Sequence, residues 1–161
     1  MIRILATGGT LDVDSIDEGD VYYFQESYVP KILAQCRNEA DIVVETLFLK
    51  DSLYLTDLDR QQILQHAKTC DELKIVVTHG TDTMVETATV LGAADIAKTI
   101  VLTGAIVPYM APESDATFNL GFALACAQTL APGVYIAMNG KIFAWNNVRK
   151  NQQLKVFEPL R

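Results

Sequence analysis

The chain has 161 residues, 50% hydrophobic and 20% charged, which fits one ordinary domain able to bury roughly 70% of the surface its unfolded form exposes. Twenty acidic residues against 13 basic ones give a net charge of −7, with Lys and Arg scattered rather than striped, so nucleic acid is not an expected partner. No apolar run approaches the roughly 18 residues of a membrane span, and the stretch after Met1 stops at a Gly pair, too short for a signal peptide; the expected location is the cytoplasm, with no membrane partner.

The first apolar run, Ile2 to Ala6, lacks polar alternation and predicts a strand covered on both faces. Thr7-Gly8-Gly9-Thr10 follows it, and residues 12 to 24, with Asp12, Asp14, Asp17, Glu18 and Asp20, read as a mobile acidic loop placed to act as a lid. Val29, Ile32, Leu33 and Cys36 have the i, i+3, i+4, i+7 spacing of a helix. A second strand is expected over Ile42 to Phe48, then a helix over Leu58 to Cys70 and a third strand over Lys74 to Thr78. His79-Gly80-Thr81-Asp82-Thr83 leads into a helix over Met84 to Ala97, a strand over Thr99 to Thr103, a nearly all-apolar helix over Ala116 to Leu130 and a strand over Val134 to Met138. The tail from Lys141, with Trp145, Asn146 and Asn147, reads as a short hairpin or extension. Cys36, Cys70 and Cys126 have no metal-binding spacing and are expected to be buried free thiols, and no metal site is expected.

Alternating strands and helices with right-handed crossovers imply an α/β fold: a doubly wound, mainly parallel five-stranded sheet of flavodoxin-like type, strand order 2-1-3-4-5. The chain then reverses direction between strands 1 and 3, and ligands in open α/β sheets bind at such a point. The Thr10 loop and the Thr81 loop should therefore meet at one crevice. A hydroxyl there needs a proton acceptor and donors for an oxyanion. Gly8 and Gly9 would let backbone N–H groups approach a small ligand, although the same residues suit a plain tight turn. Thr81, Asp82 and Thr83 are open to two readings, since Thr83 and Glu86 have capping-box spacing and capping is favoured on local grounds. Lys150 is either a solvated charge or, buried beside Thr81, a base with a lowered pKa. His79 reads as a structural imidazole, His66 as a surface residue, and Ser114, Asp115 and Asn119 as braces for the site or as caps.

Ala6-Thr7-Gly8-Gly9-Thr10 together with Thr78-His79-Gly80-Thr81-Asp82-Thr83-Met84-Val85-Glu86-Thr87-Ala88 resembles the amino-terminal domain of the bacterial-type L-asparaginase/glutaminase family. Leu102-Thr103-Gly104-Ala105, Ser114-Asp115, Asn119-Leu120, Gly133-Val134-Tyr135 and Met138-Asn139 are also similar to that family. The resemblance implies hydrolysis of a side-chain amide, of asparagine or a related small molecule, without a cofactor. It implies that Thr10 is the nucleophile, that Thr81, Asp82 and Lys150 form a second catalytic cluster, and that the lid tyrosine falls at Tyr23, with Tyr22 as the alternative. Ser52 would hold the substrate carboxylate and Asp82 its α-amino group, with Gly9 and Gly80 bordering the substrate.

The sequence departs from the family at Leu53, where many relatives carry a polar substrate-binding residue, and at Val107, in place of an arginine. Family members also have a carboxy-terminal domain that reaches into a neighbouring subunit's site; here residues 1–161 are expected to form a single amino-terminal-type domain with that second domain absent. The uncovered face implies a homo-oligomer, a dimer or larger. A catalytically weak module that binds or senses a small amino acid is the alternative function, and a nucleotide or flavin domain follows from fold analogy alone.

Overall fold

The computed structural model describes residues 1–161. In chain order the elements are β1 (Ile2–Gly8), β2 (Ser15–Ile16), β3 (Tyr22–Tyr23), α1 (Val29–Gln35), β4 (Ile42–Lys50), α2 (Asp57–Thr69), β5 (Lys74–Thr78), α3 (Met84–Ala93) and β6 (Thr99–Thr103). They continue with α4 (Ala116–Thr129), β7 (Gly133–Met138), β8 (Lys141–Ala144), β9 (Arg149–Asn151) and β10 (Val156–Glu158). The main sheet has the order β4-β1-β5-β6-β7-β8. Its first five members run parallel, in the order expected from the sequence, and β8 pairs antiparallel to β7 as a sixth. That last pairing follows from the Asn139-Gly140 turn, where φ of +49° and +80° gives the twist that lets two strands fold back directly.

Side chains alternate across the parallel strands and feed two cores. Leu5, Ile75, Val77, Ile100, Leu102 and Ile136 pack on one face with Ile63 and Ala67 of α2 and Met84 and Leu91 of α3. Ile4, Val76, Val101 and Ala137 pack on the other with Val29 and Ile32 of α1 and Leu120 and Ala127 of α4. This double covering explains why the strand sequences are continuous apolar runs. No helix is long and apolar enough to cross a membrane.

Several local features differ from expectation. Residues 12 to 24 form a short antiparallel ribbon, Ser15–Ile16 against Tyr22–Tyr23, whose turn is held by Asp17 Oδ1 accepting from the N–H groups of Gly19 and Val21 at 2.9 Å. Helix α3 stops at Ala93 rather than Ala97, and Asp95 just beyond it adopts φ +47°. Helix α2 has a reciprocal capping box between Thr56 and Asp59, but Thr83 makes no cap at the start of α3. Of the three thiols only Cys126 is buried; Cys70 is half-buried, and Cys36 lies exposed where α1 ends.

Candidate active site

The loop after β1 begins with Gly8 and Gly9 at φ +95° and +76°. A Cβ at Gly9 would lie 2.3 Å from the Gly80 nitrogen, so the loops after β1 and β5 touch backbone to backbone. Gly9 N–H donates to Lys50 O at 2.9 Å, and Thr10–Asp12 then form one 3-10 turn. Leu11 and Asp12 point inward and leave Thr10 half-buried at the rim. Asp12 Oδ1 accepts from Ser27 Oγ (3.0 Å) and Tyr28 N (2.8 Å), while Oδ2 is buried without a partner. Burial pushes this carboxyl up to about 6 against those hydrogen bonds.

In the second loop His79 is fully buried. Its Nδ1 lies 2.7 Å from Gly80 O, which can only accept, so Nδ1–H donates and Nε2 accepts from Thr87 Oγ1, also at 2.7 Å. Desolvation lowers the imidazole pKa to about 4 and keeps it neutral, a brace for the turn at Gly80. Thr81 is buried and Asp82 half-exposed, and neither caps α3. Both are bound by Lys150, whose Nζ donates to Thr81 Oγ1 at 2.8 Å and to Asp82 Oδ1 at 2.5 Å. Lys150 lies on β9 opposite Phe157 of β10, and Phe157 anchors that two-stranded ribbon in the core. The ribbon thereby inserts an ammonium, its side chain only 8% exposed, between the hydroxyl and the carboxylate. Thr83 Oγ1 donates to Ser52 O at 2.9 Å instead of capping, which ties the loops after β4 and β5 together.

Thr10, Thr81, Asp82 and Lys150 line one crevice of about 110 Å³. Tyr22 of the β2–β3 ribbon, Ile106 after β6, and Gln152 and Lys155 of the β9–β10 ribbon complete its walls. Water occupies roughly 30 Å³ per molecule, so this volume suits a group the size of a small amide. Larger hollows of about 470 Å³ at the N-terminal edge of the sheet and about 250 Å³ between α1 and α4 lack this union of hydroxyl, carboxylate and amine.

The sequence profile of the family described as "Asparaginase, N-terminal" matches residues 1–158. The chain belongs to the asparaginase amino-terminal family. The glutaminase-asparaginase of Acinetobacter glutaminasificans is 32% identical over 92% of this chain and 49% of its own length. L-asparaginase 2 of Escherichia coli is 30% identical over 96% of this chain and 47% of its own length. The solved structure titled as a probable cytoplasmic L-asparaginase from Campylobacter jejuni superposes with a TM-score of 0.84 at 31% identity, covering 98% of this chain and 52% of that one. The chain thus spans about half the length of these asparaginase relatives.

Against the residues expected from the asparaginase motifs, the crevice brings together Thr10, Thr81, Asp82 and Lys150. Tyr22 faces it, whereas Tyr23 points away, 51% exposed with its hydroxyl donating to Asp17 Oδ2 at 3.0 Å. Adjacent strand residues face opposite ways, so only one of the pair can reach the site. Ser52 is 1% exposed, and its unpartnered Oγ lies 2.5 Å from where a Gly80 Cβ would stand; it is enclosed behind Gly80 and does not line the crevice. Ile106, Gln152 and Lys155 carry no sequence signal for a site, because two of them belong to a ribbon outside the parallel sheet. Ile106 is positioned by Asp115, whose Oδ1 accepts from the N–H groups of Ile106 and Val107 at 2.9 and 3.0 Å. Asn119 and Asn139 each donate to Asp115 Oδ2 at 2.9 Å, so these residues brace the site.

Proposed function

We propose that the chain hydrolyses the side-chain amide of L-asparagine or a related small amide, giving ammonia and a carboxylate. The observation that carries this reading is the Thr81–Lys150–Asp82 chain of hydrogen bonds in the same small crevice as Thr10. Thr10 Oγ attacks the amide carbon, its proton is taken up in the site, and the negative charge on the carbonyl oxygen is met by backbone N–H groups of the touching loops around Gly9 and Thr81. The C–N bond then breaks, and the nitrogen receives a proton to leave as ammonia. Water attacks the resulting threonine ester, the acid is released, and Thr10 recovers its hydroxyl. Thr81 and Lys150 relay these protons, and Asp82 fixes the position and charge of Lys150. Tyr22, the ribbon tyrosine that lines the crevice, is the phenol assigned to close over Thr10. No step calls for a metal or organic cofactor.

Ammonia release is measured for the wild type and Thr10→Ala with L-asparagine, L-glutamine, D-asparagine and simple amides. Turnover in the wild type should fall by at least ~100-fold in the variant, the scale on which loss of a nucleophile acts. Near-wild-type activity in Thr10→Ala would remove Thr10 from the mechanism. Saturable binding of an amino acid by calorimetry with no ammonia from any substrate would favour a small-ligand binding module.

A further inference from the structure

Asp12 is a buried acid that the reaction above leaves unused. It lies two residues after Thr10 in the same 3-10 turn, fully enclosed, with Oδ1 accepting from Ser27 Oγ and Tyr28 N. Those donors stand where the chain returns from the β2–β3 ribbon to α1, so one carboxyl joins the start of the ribbon segment to its end. Asp14 repeats the fastening one step outward. Its Oδ1 accepts from Tyr28 Oη at 2.7 Å, its Oδ2 from Gln25 Nε2 at 2.9 Å, and its N–H donates to Tyr23 O at 2.9 Å. The ribbon clasped in this way carries Tyr22 into the crevice with Thr10. The clasp has one defect, the buried Asp12 Oδ2 without a partner. What favours the charged form of Asp12 is hydrogen bonding alone, from Tyr28, Ser27 and the Gly8 N–H, with no cation beside it. The titratable neighbours are Asp14 on its own turn and Glu26 and Tyr28 on the returning segment. Tyr109, from the loop after β6, packs on the Tyr28 ring at 5.2 Å, and the Lys31 ammonium of α1 lies 5.6 Å from that ring. An ionised Asp12 therefore leaves charge on an oxygen that nothing meets, whereas a neutral acid or an amide fills the same space without that charge.

We infer that Asp12 is a positioning residue: through Ser27 and Tyr28 it latches the β2–β3 ribbon, and with it Tyr22, over Thr10, and its ionisation releases the latch. The inference rests on the hydrolytic reading of the crevice and assigns the control of its lid. The sign follows from hydration. When the ribbon opens, water reaches Asp12 and its pKa returns to the ordinary 3.8, whereas the closed form holds the proton up to about 6. A rise in pH between these values therefore favours opening, about tenfold for each pKa unit. Two other groups of the ribbon do not titrate in this window: the N–H groups of Val21 and Gly19 hold Asp17 below its ordinary value, and Tyr28 is pushed up to about 12. Amide hydrogen exchange, read residue by residue, tests the latch without any substrate. In the wild type, protection at the Asp14 and Tyr28 N–H groups should fall roughly fiftyfold from about pH 4 to about pH 6.5, while the amides of β5 hold steady as the control for global unfolding. In Asp12→Asn it should stay level, because the amide keeps the shape of the neutral acid at every pH. Ammonia release tests the reach of the latch: kcat/KM of Asp12→Asn relative to wild type should be about one near pH 4 and rise severalfold by about pH 6.5, since the variant keeps the ribbon over Thr10. Level protection in the wild type overturns the inference without any variant, and an equal fall in both proteins overturns it as well. A flat kcat/KM ratio beside the expected exchange does the same, because the ribbon would then open without moving anything the reaction needs. If neither protein releases ammonia from any amide while exchange behaves as expected, the hydrolytic reading fails and the Asp12 latch stands.

Discussion

Asp12 and His79 lie beneath the two loops of the site, and burial moves both away from their ordinary protonation behaviour in ways that oppose each other. Asp12 is raised from 3.8 to about 6, so the native state holds its proton more tightly than the unfolded chain, and the stability this contributes is lost as pH rises from about 4 through 6. His79 is lowered from 6.5 to about 4, so its contribution is present above 6.5 and lost as pH falls toward 4. Each shift is worth on the order of 3 kcal/mol at about 1.4 kcal/mol per pKa unit, so across this window the two nearly cancel. Asp12→Asn removes one side of the balance. Urea unfolding at pH 6.5 and pH 4 should show the variant losing roughly 3 kcal/mol more than the wild type on acidification. Parallel pH profiles for the two proteins would mean that Asp12 is ionised in the native state near pH 4. The sequence names Asp12 only as one of several acids in a loop; its burial comes from the 3-10 turn that swings it inward while Thr10 stays at the rim, and composition gives no sign of that.

Two touching elements, the turn after β1 and the turn after β5, set the geometry of the site, and Gly9 is where they meet. A methyl group there would meet the Gly80 backbone at 2.3 Å, with backbone on both sides and nothing flexible to move, and φ of +76° adds strain. Gly9→Ala is therefore expected to lower the melting temperature and to separate Thr10 from Thr81, with activity lost by more than stability. Equal stability and activity in that variant would show that the loops have slack. The meeting of these turns is legible from sequence, because strand alternation and the right-handed crossover rule bring strands 1 and 3 side by side. Lys150 is legible through the family resemblance, but its route is not: β9 and β10 are three residues each, mostly half-buried and outside the main sheet, and only the burial of Phe157 reveals what anchors them. Strand β8 had a readable signal in Asn139-Gly140, the turn that returns a strand antiparallel. Thr83 shows the limit of local rules, since its capping-box spacing is present but a longer-range acceptor, Ser52 O, takes its hydroxyl.

Across the whole molecule, the exposed apolar side chains include a run just after β4, beyond the C-terminal end of a parallel strand. Leu53, Tyr54 and Leu58 after β4 are 64%, 74% and 82% exposed, and Leu154 on the β9–β10 ribbon is 69% exposed. Exposed apolar groups that follow one another along the chain favour burial against another surface. We propose a second copy of this chain as the occupant, in a two-fold contact that places the Leu53, Tyr54 and Leu58 side chains of both partners together. The net charge of −7 works against that contact, because two like-charged chains repel, and salt relieves the repulsion within a screening length of about 10 Å at 0.1 M. Association should therefore tighten as salt rises, the reverse of an interface held by ion pairs. Light scattering at two salt concentrations is expected to give a mass above the 17.7 kDa of one chain, more completely at the higher salt. Tyr54→Glu combined with Leu58→Glu should return the protein to 17.7 kDa without unfolding it, since both side chains lie in solvent and support no core. A single chain at every concentration and salt would leave these side chains without a self-contact. A dimer untouched by the double variant would move the interface to another face.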